Sequence, residues 1–290
     1  MGYSGRYHAA SLAAVFVALA VGILIGIGLA DDVVSSASEE VRDSLRSDLD
    51  DAGSEIDTLE ADLDREREFT DAAAPALVAG RLARDRVALI SLGGLPDDET
   101  PREVQEAVEA GGAELASVAS LDLPADLPAV TAAAGGRFDG PGRDSARAVQ
   151  LGEAVGRQMI GGGPLVERVS SELFSSFNGR LAGVNRVVLV SRPPADLEGQ
   201  VSGEEREFAS ALLRGIDGRA AGAAGVERTS TEPTTLGAFS SVGIPTVDNV
   251  DTEPGQVALV FALLGAEGDF GVKEGATSLL PDLLAPQPGP

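Results

Sequence analysis

From Ala9 to Ala30 the chain carries no charged residue in 22 consecutive positions. At about 1.5 Å of rise per residue, a helix of that length crosses a hydrocarbon core about 30 Å thick. Two uses fit such a run, an uncleaved anchor and a secretory signal peptide. Gly28 and Ala30 offer the small residues a signal peptidase accepts, yet the run exceeds the roughly 7 to 15 apolar residues of a signal core. The expected structure is therefore a transmembrane anchor over residues 9–30. Arg6 and the amino terminus precede it, whereas Asp31, Asp32, Glu39 and Glu40 follow it. The positive-inside tendency places residues 1–8 in the cytoplasm and everything after Ala30 outside the cell membrane, as a single-pass envelope protein. Small residues at Ala10, Ala14, Ala18, Gly22 and Gly26 recur every fourth position, a stripe that suits close helix packing and self-association of the span. The same stripe also suits a plain lipid-facing anchor.

After the span the pattern changes to a polar helix. Between Val33 and Phe69 there is no proline and one glycine, Gly53, while Val34, Val41, Leu45, Leu49, Ala52, Ile56, Leu59 and Leu63 recur mostly at spacings of three and four. A narrow apolar stripe of this kind reads as a coiled-coil stalk, residues 31–71, and implies a homodimer through span and stalk. Consecutive four-residue steps at 41, 45 and 49 interrupt a strict heptad and locally unwind the supercoil. Residues 31–70 hold 15 acidic and 4 basic side chains. Salt should strengthen a parallel pairing of such stalks by screening their like charges. The acidic run is also what an ordinary solvated helix face looks like.

The whole chain of 290 residues has 46 acidic and 22 basic residues, a formal net charge of -24, with Lys273 its single lysine. With no basic stripe to offset that charge, nucleic acid is excluded as a partner. The absence of cysteine removes disulfides, zinc-thiolate sites, iron-sulfur clusters and thiol catalysis.

From residue 72 to 280, short apolar runs alternate with helical segments, the signature of a mostly parallel, doubly wound α/β domain outside the membrane. Strands are expected at Arg86–Leu92, Ala113–Ser120, Arg186–Ser191, Gly225–Thr229 and Thr246–Val250. Helices are expected from Thr100 to about Ala110, with Thr100 as N-cap and Glu103 as capping-box acid, and at about 144–160, 165–180, 203–216 and 255–264. A short helical piece is expected near Leu236. Residues 122–142 read as a long connection, and 281–290, rich in proline, as a mobile tail.

Chemistry is sparse along this chain. His8 stands at the membrane boundary on the cytoplasmic side, which excludes a Ser-His-Asp hydrolase and a His-based zinc protease outside. Gly93-Gly94 and Gly161-Gly162-Gly163 match neither phosphate-loop pattern. The densest polar cluster is Asp248, Asn249, Asp251, Thr252 and Glu253, at the end of one expected strand and before a helix, where α/β folds collect ligands. It is a candidate ligand or partner loop, suited to a hard cation more than to copper. The competing assignment is structural, with Asp251 or Thr252 capping the helix and Asn249 shaping the turn. No cofactor is evident from these residues, and no catalytic role is assigned.

Two strings carry a resemblance. The run from Tyr7 to Gly26, and Asp248-Asn-Val-Asp-Thr-Glu-Pro-Gly-Gln-Val-Ala-Leu259 followed by Gly268-Asp-Phe-Gly-Val-Lys273 and Ser278-Leu-Leu-Pro281, closely resemble the actinobacterial MctB copper transporter family in order and spacing. The resemblance covers nearly the full chain. It implies a single-span envelope protein that limits intracellular copper, with copper ion as its cargo. A related SteB-like branch implies instead a septum-associated factor working with a membrane partner. Copper(I) prefers thiolate and thioether, yet Met159 is the one such group outside the membrane once Met1 lies in the cytoplasm. One helix encloses no pore, so passage of copper requires an oligomer. Copper efflux or homeostasis, a dimeric non-catalytic scaffold docking an envelope or septum partner, and an enzyme using the Asp248–Glu253 loop are the three functions that follow.

Overall fold

The structure, a computed structural model, describes residues 5–138, 145–192 and 201–283. It contains two compact units that divide between Arg67 and Glu68.

The described residues of the first unit are all helical. Helix α1 runs from Gly5 to Val78, 74 residues, so the expected anchor and stalk are one continuous element and the helix outlasts the expected stalk boundary at residue 71. Tyr7–Ile27 is long and apolar enough to cross a membrane, with a mean hydropathy of 2.7. No proline interrupts the helix before Pro75, one turn from its end, which is why nothing breaks it sooner. The small-residue stripe is open: Ala14, Ala18, Gly22 and Gly26 are exposed, and a methyl added at either glycine meets no atom within 4 Å. Val41, Leu45, Leu49, Ile56, Leu59 and Leu63 are 50–71% exposed.

The second unit is the α/β domain. Seven strands form one sheet in the order β3-β2-β1-β4-β5-β6-β7. They are β1 (Arg86–Leu92), β2 (Glu114–Leu121), β3 (Phe174–Gly179), β4 (Arg186–Ser191), β5 (Gly222–Val226), β6 (Thr246–Val247) and β7 (Asp269–Phe270). All neighbours are parallel except β3, which runs antiparallel to β2 at the edge. The strand order turns back between β1 and β4, the arrangement of a doubly wound sheet.

Both faces of the sheet are covered, and the strands show why. In β1, Ala88, Ile90 and Leu92 join one apolar cluster while Val87 and Leu89 join the other. Val187 and Leu189 of β4 separate from Val188 and Val190 in the same way. A period of two with both faces buried explains the continuous apolar runs in these strands. Helices α4 (Ser145–Gly161), α5 (Pro164–Leu173) and α6 (Gly203–Asp217) cover the first face. Helices α2 (Thr100–Ala110) and α8 (Glu253–Leu263), with the end of α1 at Ala74 and Val78, cover the second. Gly156 of α4 lies so close to α6 that a Cβ there would sit 2.2 Å from the Leu212 carbonyl oxygen.

Several expectations are corrected. The helix expected over 165–180 ends at Leu173 and gives way to β3, because Phe-Ser-Ser-Phe-Asn-Gly offers the poor helix formers and backbone competitors that leave a helix readily. The connection expected over 122–142 contains helix α3 (Leu127–Ala134), capped by Asp126 accepting from Ala129 N–H, and a 3₁₀ turn at Gly136–Phe138. Helix α2 starts where expected, but Thr100 and Glu103 do not form its capping box. Asp97 accepts the amides of Glu99 and Thr100 at 2.9 and 2.6 Å instead. Strand β5 sits three residues earlier than expected and β6 stops at Val247, while α8 starts at Glu253 rather than Gly255. The piece near Leu236 is helix α7 (Gly237–Ser240). Strand β7 had no counterpart in the sequence patterns. Residues 284–290 of the expected mobile tail, and Met1, lie outside the described residues.

Candidate functional site

The polar residues of interest gather at the carboxyl ends of β5 and β6, where an α/β sheet places its ligands. Each is held by a different part of the chain. Asp248 is buried, and its carboxylate accepts the amides of Val272 and Lys273, both at 2.8 Å. Asp251 faces the other way and accepts the Thr229 amide at 2.7 Å and its hydroxyl at 3.0 Å. Thr252 caps α8 by accepting from Gly255 N–H, while Asn249 Nδ2 donates to the Thr252 hydroxyl at 3.1 Å. Asn249 is buried, with Oδ1 left without a hydrogen-bond partner and close against Gly255. Glu253 is exposed in the first turn of α8. The structure thus brings Asp248, Asn249, Asp251 and Glu253 into one stretch of chain without converging their oxygens. What it displays at Thr252 and Asn249 is the capping and turn role.

The residues that close this region were not singled out as a site by their sequence. Lys273 reaches under the sheet end and donates to Glu227 Oε1 at 2.8 Å, Arg228 O at 2.9 Å and Thr231 O at 2.7 Å. Glu227 also accepts the Thr234 hydroxyl and both the amide and hydroxyl of Thr235. The Glu227 side chain is 2% exposed and that of Lys273 18%. A buried charge pair is tolerable when its remaining lone pairs and protons are satisfied, as here. Two glycines admit the arrangement: a Cβ on Gly255 would lie 1.8 Å from Asn249 O, and one on Gly271 would lie 1.9 Å from Asp248 Oδ1. The one sequence signal was that the chain's single lysine falls here.

Beside this pair, Arg228 spans to α2, binding Glu99 at 2.6 Å and Glu103 at 3.0 Å. Burial pushes the Glu103 carboxyl above the usual carboxylate range; the Arg228 guanidinium opposes the rise, and Asp251 and Asp97 add to it. Two clefts open nearby. One, about 170 Å³, is lined by Thr234, Thr246, Asp248, Asp269 and Lys273. The other, about 220 Å³, lies between Ala74 and Val78 of α1, Ala107 of α2 and Val257 of α8. Both are smaller than the roughly 300 to 1,000 Å³ of small-molecule pockets.

Soft metal ligands are not assembled here. Met159 is fully buried in the apolar core, His8 lies at the start of α1, and among the described residues no group of three or more His, Asp or Glu is arranged to hold a metal ion. Relationship is written along the chain instead. A family model described as "Copper transport outer membrane protein, MctB" matches residues 3–132 and 146–281. The chain belongs to the MctB family. The proteins named Copper transporter MctB from Mycobacterium tuberculosis (strain ATCC 25618 / H37Rv) and Mycobacterium bovis (strain ATCC BAA-935 / AF2122/97) are each 27% identical to it, over 94% of this chain and 98% of theirs. The protein of the same name from Mycobacterium leprae (strain TN) is 26% identical over the same shares. Within the second of the strings that carry the resemblance, Asp248 at its head accepts from the backbone of Val272 and Lys273 at the end of Gly268–Lys273.

Proposed function

We propose that this chain is a single-pass envelope protein serving copper efflux or homeostasis, with its amino terminus in the cytoplasm and its α/β domain outside. The observation that carries this reading is membership of the MctB family over almost the whole chain, span included. Its ligand chemistry sets the form of the activity. Copper is the cargo in this reading, and the described residues offer it neither thiolate nor an exposed thioether. The protein therefore acts through an assembly of several chains or with a membrane partner, and performs no catalytic step of its own. The test is cell-associated copper in a deletion strain complemented by the full chain or by a chain lacking residues 9–30. Copper that rises on deletion and returns to normal only with the anchored chain is the expected result. Unchanged copper content in the deletion strain would overturn it.

A second reading has an observation of its own. The stripe Val41, Leu45, Leu49, Ile56, Leu59 and Leu63 is more than half exposed at almost every position on an otherwise polar helix. Apolar residues at three- and four-residue spacing on an open helix suit the seam of a coiled coil. This supports a homodimeric scaffold that holds the α/β domain for an envelope or septum partner, and it is compatible with copper homeostasis.

A further inference from the structure

Among the described residues, β3 at the sheet edge pairs with β2 and with no strand beyond it. Ser175, Ser176, Phe177, Asn178 and Gly179 are all exposed, Phe177 at 47%. The ladder tells which backbone groups face out. Arg180 N–H donates to the Ala116 carbonyl, and an antiparallel ladder alternates between residue pairs that exchange hydrogen bonds and pairs that do not. Stepping by two, Asn178 opposite Val118 and Ser176 opposite Ser120 bond inward. Phe177 opposite Ala119 then turns its N–H and C=O groups outward, while the regular ladder ends on either side of it, at the register shift beside Ser175 and at Gly179 with its φ of 97°. Natural edges are usually guarded by charge, proline or a covering segment. Between Phe174 and Gly179 there is neither a charged residue nor a proline.

We infer that this edge pairs antiparallel with β3 of a second copy of the chain, about a two-fold axis through Phe177. Charge selects the occupant. A chain of net charge -24 repels its copies wherever carboxylates meet, and Phe174–Gly179 is a run in which two copies meet without any. Parity selects the register. An axis through Ser176 or Asn178 would oppose groups that β2 already uses. An axis through Phe177 opposes free groups, with two reciprocal hydrogen bonds between the two Phe177 residues. The two phenyl rings become cross-strand neighbours, and the ladder continues through both sheets. One short edge buries less than the roughly 1,200 Å² of a standard stable interface. The pairing therefore depends on copies being concentrated in one membrane, and in that respect it rests on the anchored reading above. It uses a different surface from the stalk stripe, so a chain with both contacts assembles beyond a dimer.

The chain has no cysteine, which makes disulfide trapping clean. In the inferred register, Ser176 of one copy and Asn178 of the other form a non-hydrogen-bonded pair with Cα atoms about 4.5 Å apart, within disulfide reach. The full chain is expressed in membranes as Ser176→Cys, as Asn178→Cys and as a mixture of the two, then mildly oxidised. The mixture is expected to give at least fivefold more covalent dimer than either variant alone. Adding Phe177→Pro deletes an outward amide without touching the ladder to β2, and is expected to cut that yield at least fivefold; Phe177→Lys serves the same purpose with a side chain that cannot disturb the backbone. A separate Ile56→Cys chain reports on the stalk. Equal yields from mixture and single variants, or trapping only to another protein, would overturn the pairing even if Ile56→Cys cross-links. Loss of the Ile56→Cys product with the edge product retained would support the edge pairing and count against the stalk dimer alone.

Discussion

Helix α1 and the α/β domain draw on the same aliphatic residues and dispose of them in opposite ways. In the domain Val87, Leu89, Val188 and Leu189 are completely buried. Along α1, Leu12, Val15, Phe16, Leu45, Leu49 and Ile56 are at least half exposed. Burying a side chain of this kind contributes about 1.5 to 3 kcal/mol. The domain gains that term from its own sequence, whereas the helix gains it only from lipid or from another chain. One unit carries its stability inside, and the other takes it from its surroundings.

Three experiments break or sharpen that contrast. The largest effect falls inside the domain. Lys273→Met leaves Glu227 as a buried unpaired charge and should cost about 3 to 5 kcal/mol in denaturant unfolding of the full chain in detergent. Glu227→Leu combined with Lys273→Met should recover most of that loss, since neither charge then remains; equal losses for the single and double variants would show that packing, not charge, governs the site. On α1, replacing Leu45, Leu49, Ile56 and Leu59 by glutamine should move the domain's unfolding by less than about 0.5 kcal/mol while removing, in light scattering, the self-association that runs through the stalk. A domain that unfolds early in this variant would show that the stalk is no independent element. The smallest effect is pH dependence. Burial raises both Glu103 and Asp217 above their ordinary values of 4.5 and 3.8. A raised folded value means the folded chain holds more protons than the unfolded one between the two values, so stability rises as pH falls through that window. Thermal unfolding followed as pH falls from neutrality toward those ordinary values should show this slope, and Glu103→Gln with Asp217→Asn should flatten it.

What the sequence made legible follows the same division. Strands β1 and β4 were readable because both faces are buried and the apolar run is unbroken; α6 was expected at about 203–216, but the capping box that Ser202 and Glu205 form at its start emerges only in the structure. Strand β3 was not, since Phe174 to Gly179 continues the helical spacing of Leu165, Val169 and Leu173 until the exposed edge decides otherwise. Strand β7 is two residues long, too short for any periodicity. The Asp248–Glu253 loop was found as a polar cluster, but its partners stand 22 to 25 residues away in sequence at Thr229, Val272 and Lys273. Local spacing carries no information about such pairings. Glu103 shows the reverse error: a residue with capping-box spacing was claimed by Arg228, 125 positions later.

The placement of Lys273 has a consequence for biogenesis. Glu227, just after β5, receives its counter-charge from a residue 46 positions further along, and β7 joins the sheet only just before it. A chain emerging amino-terminus first holds the central strands long before it holds that lysine. Until residue 273 arrives, closing the sheet would bury a carboxylate that has hydrogen bonds from Thr234 and Thr235 but no counter-charge from Lys273. The last polar contact of the buried Glu227 is thus completed only when almost all of the domain has been delivered.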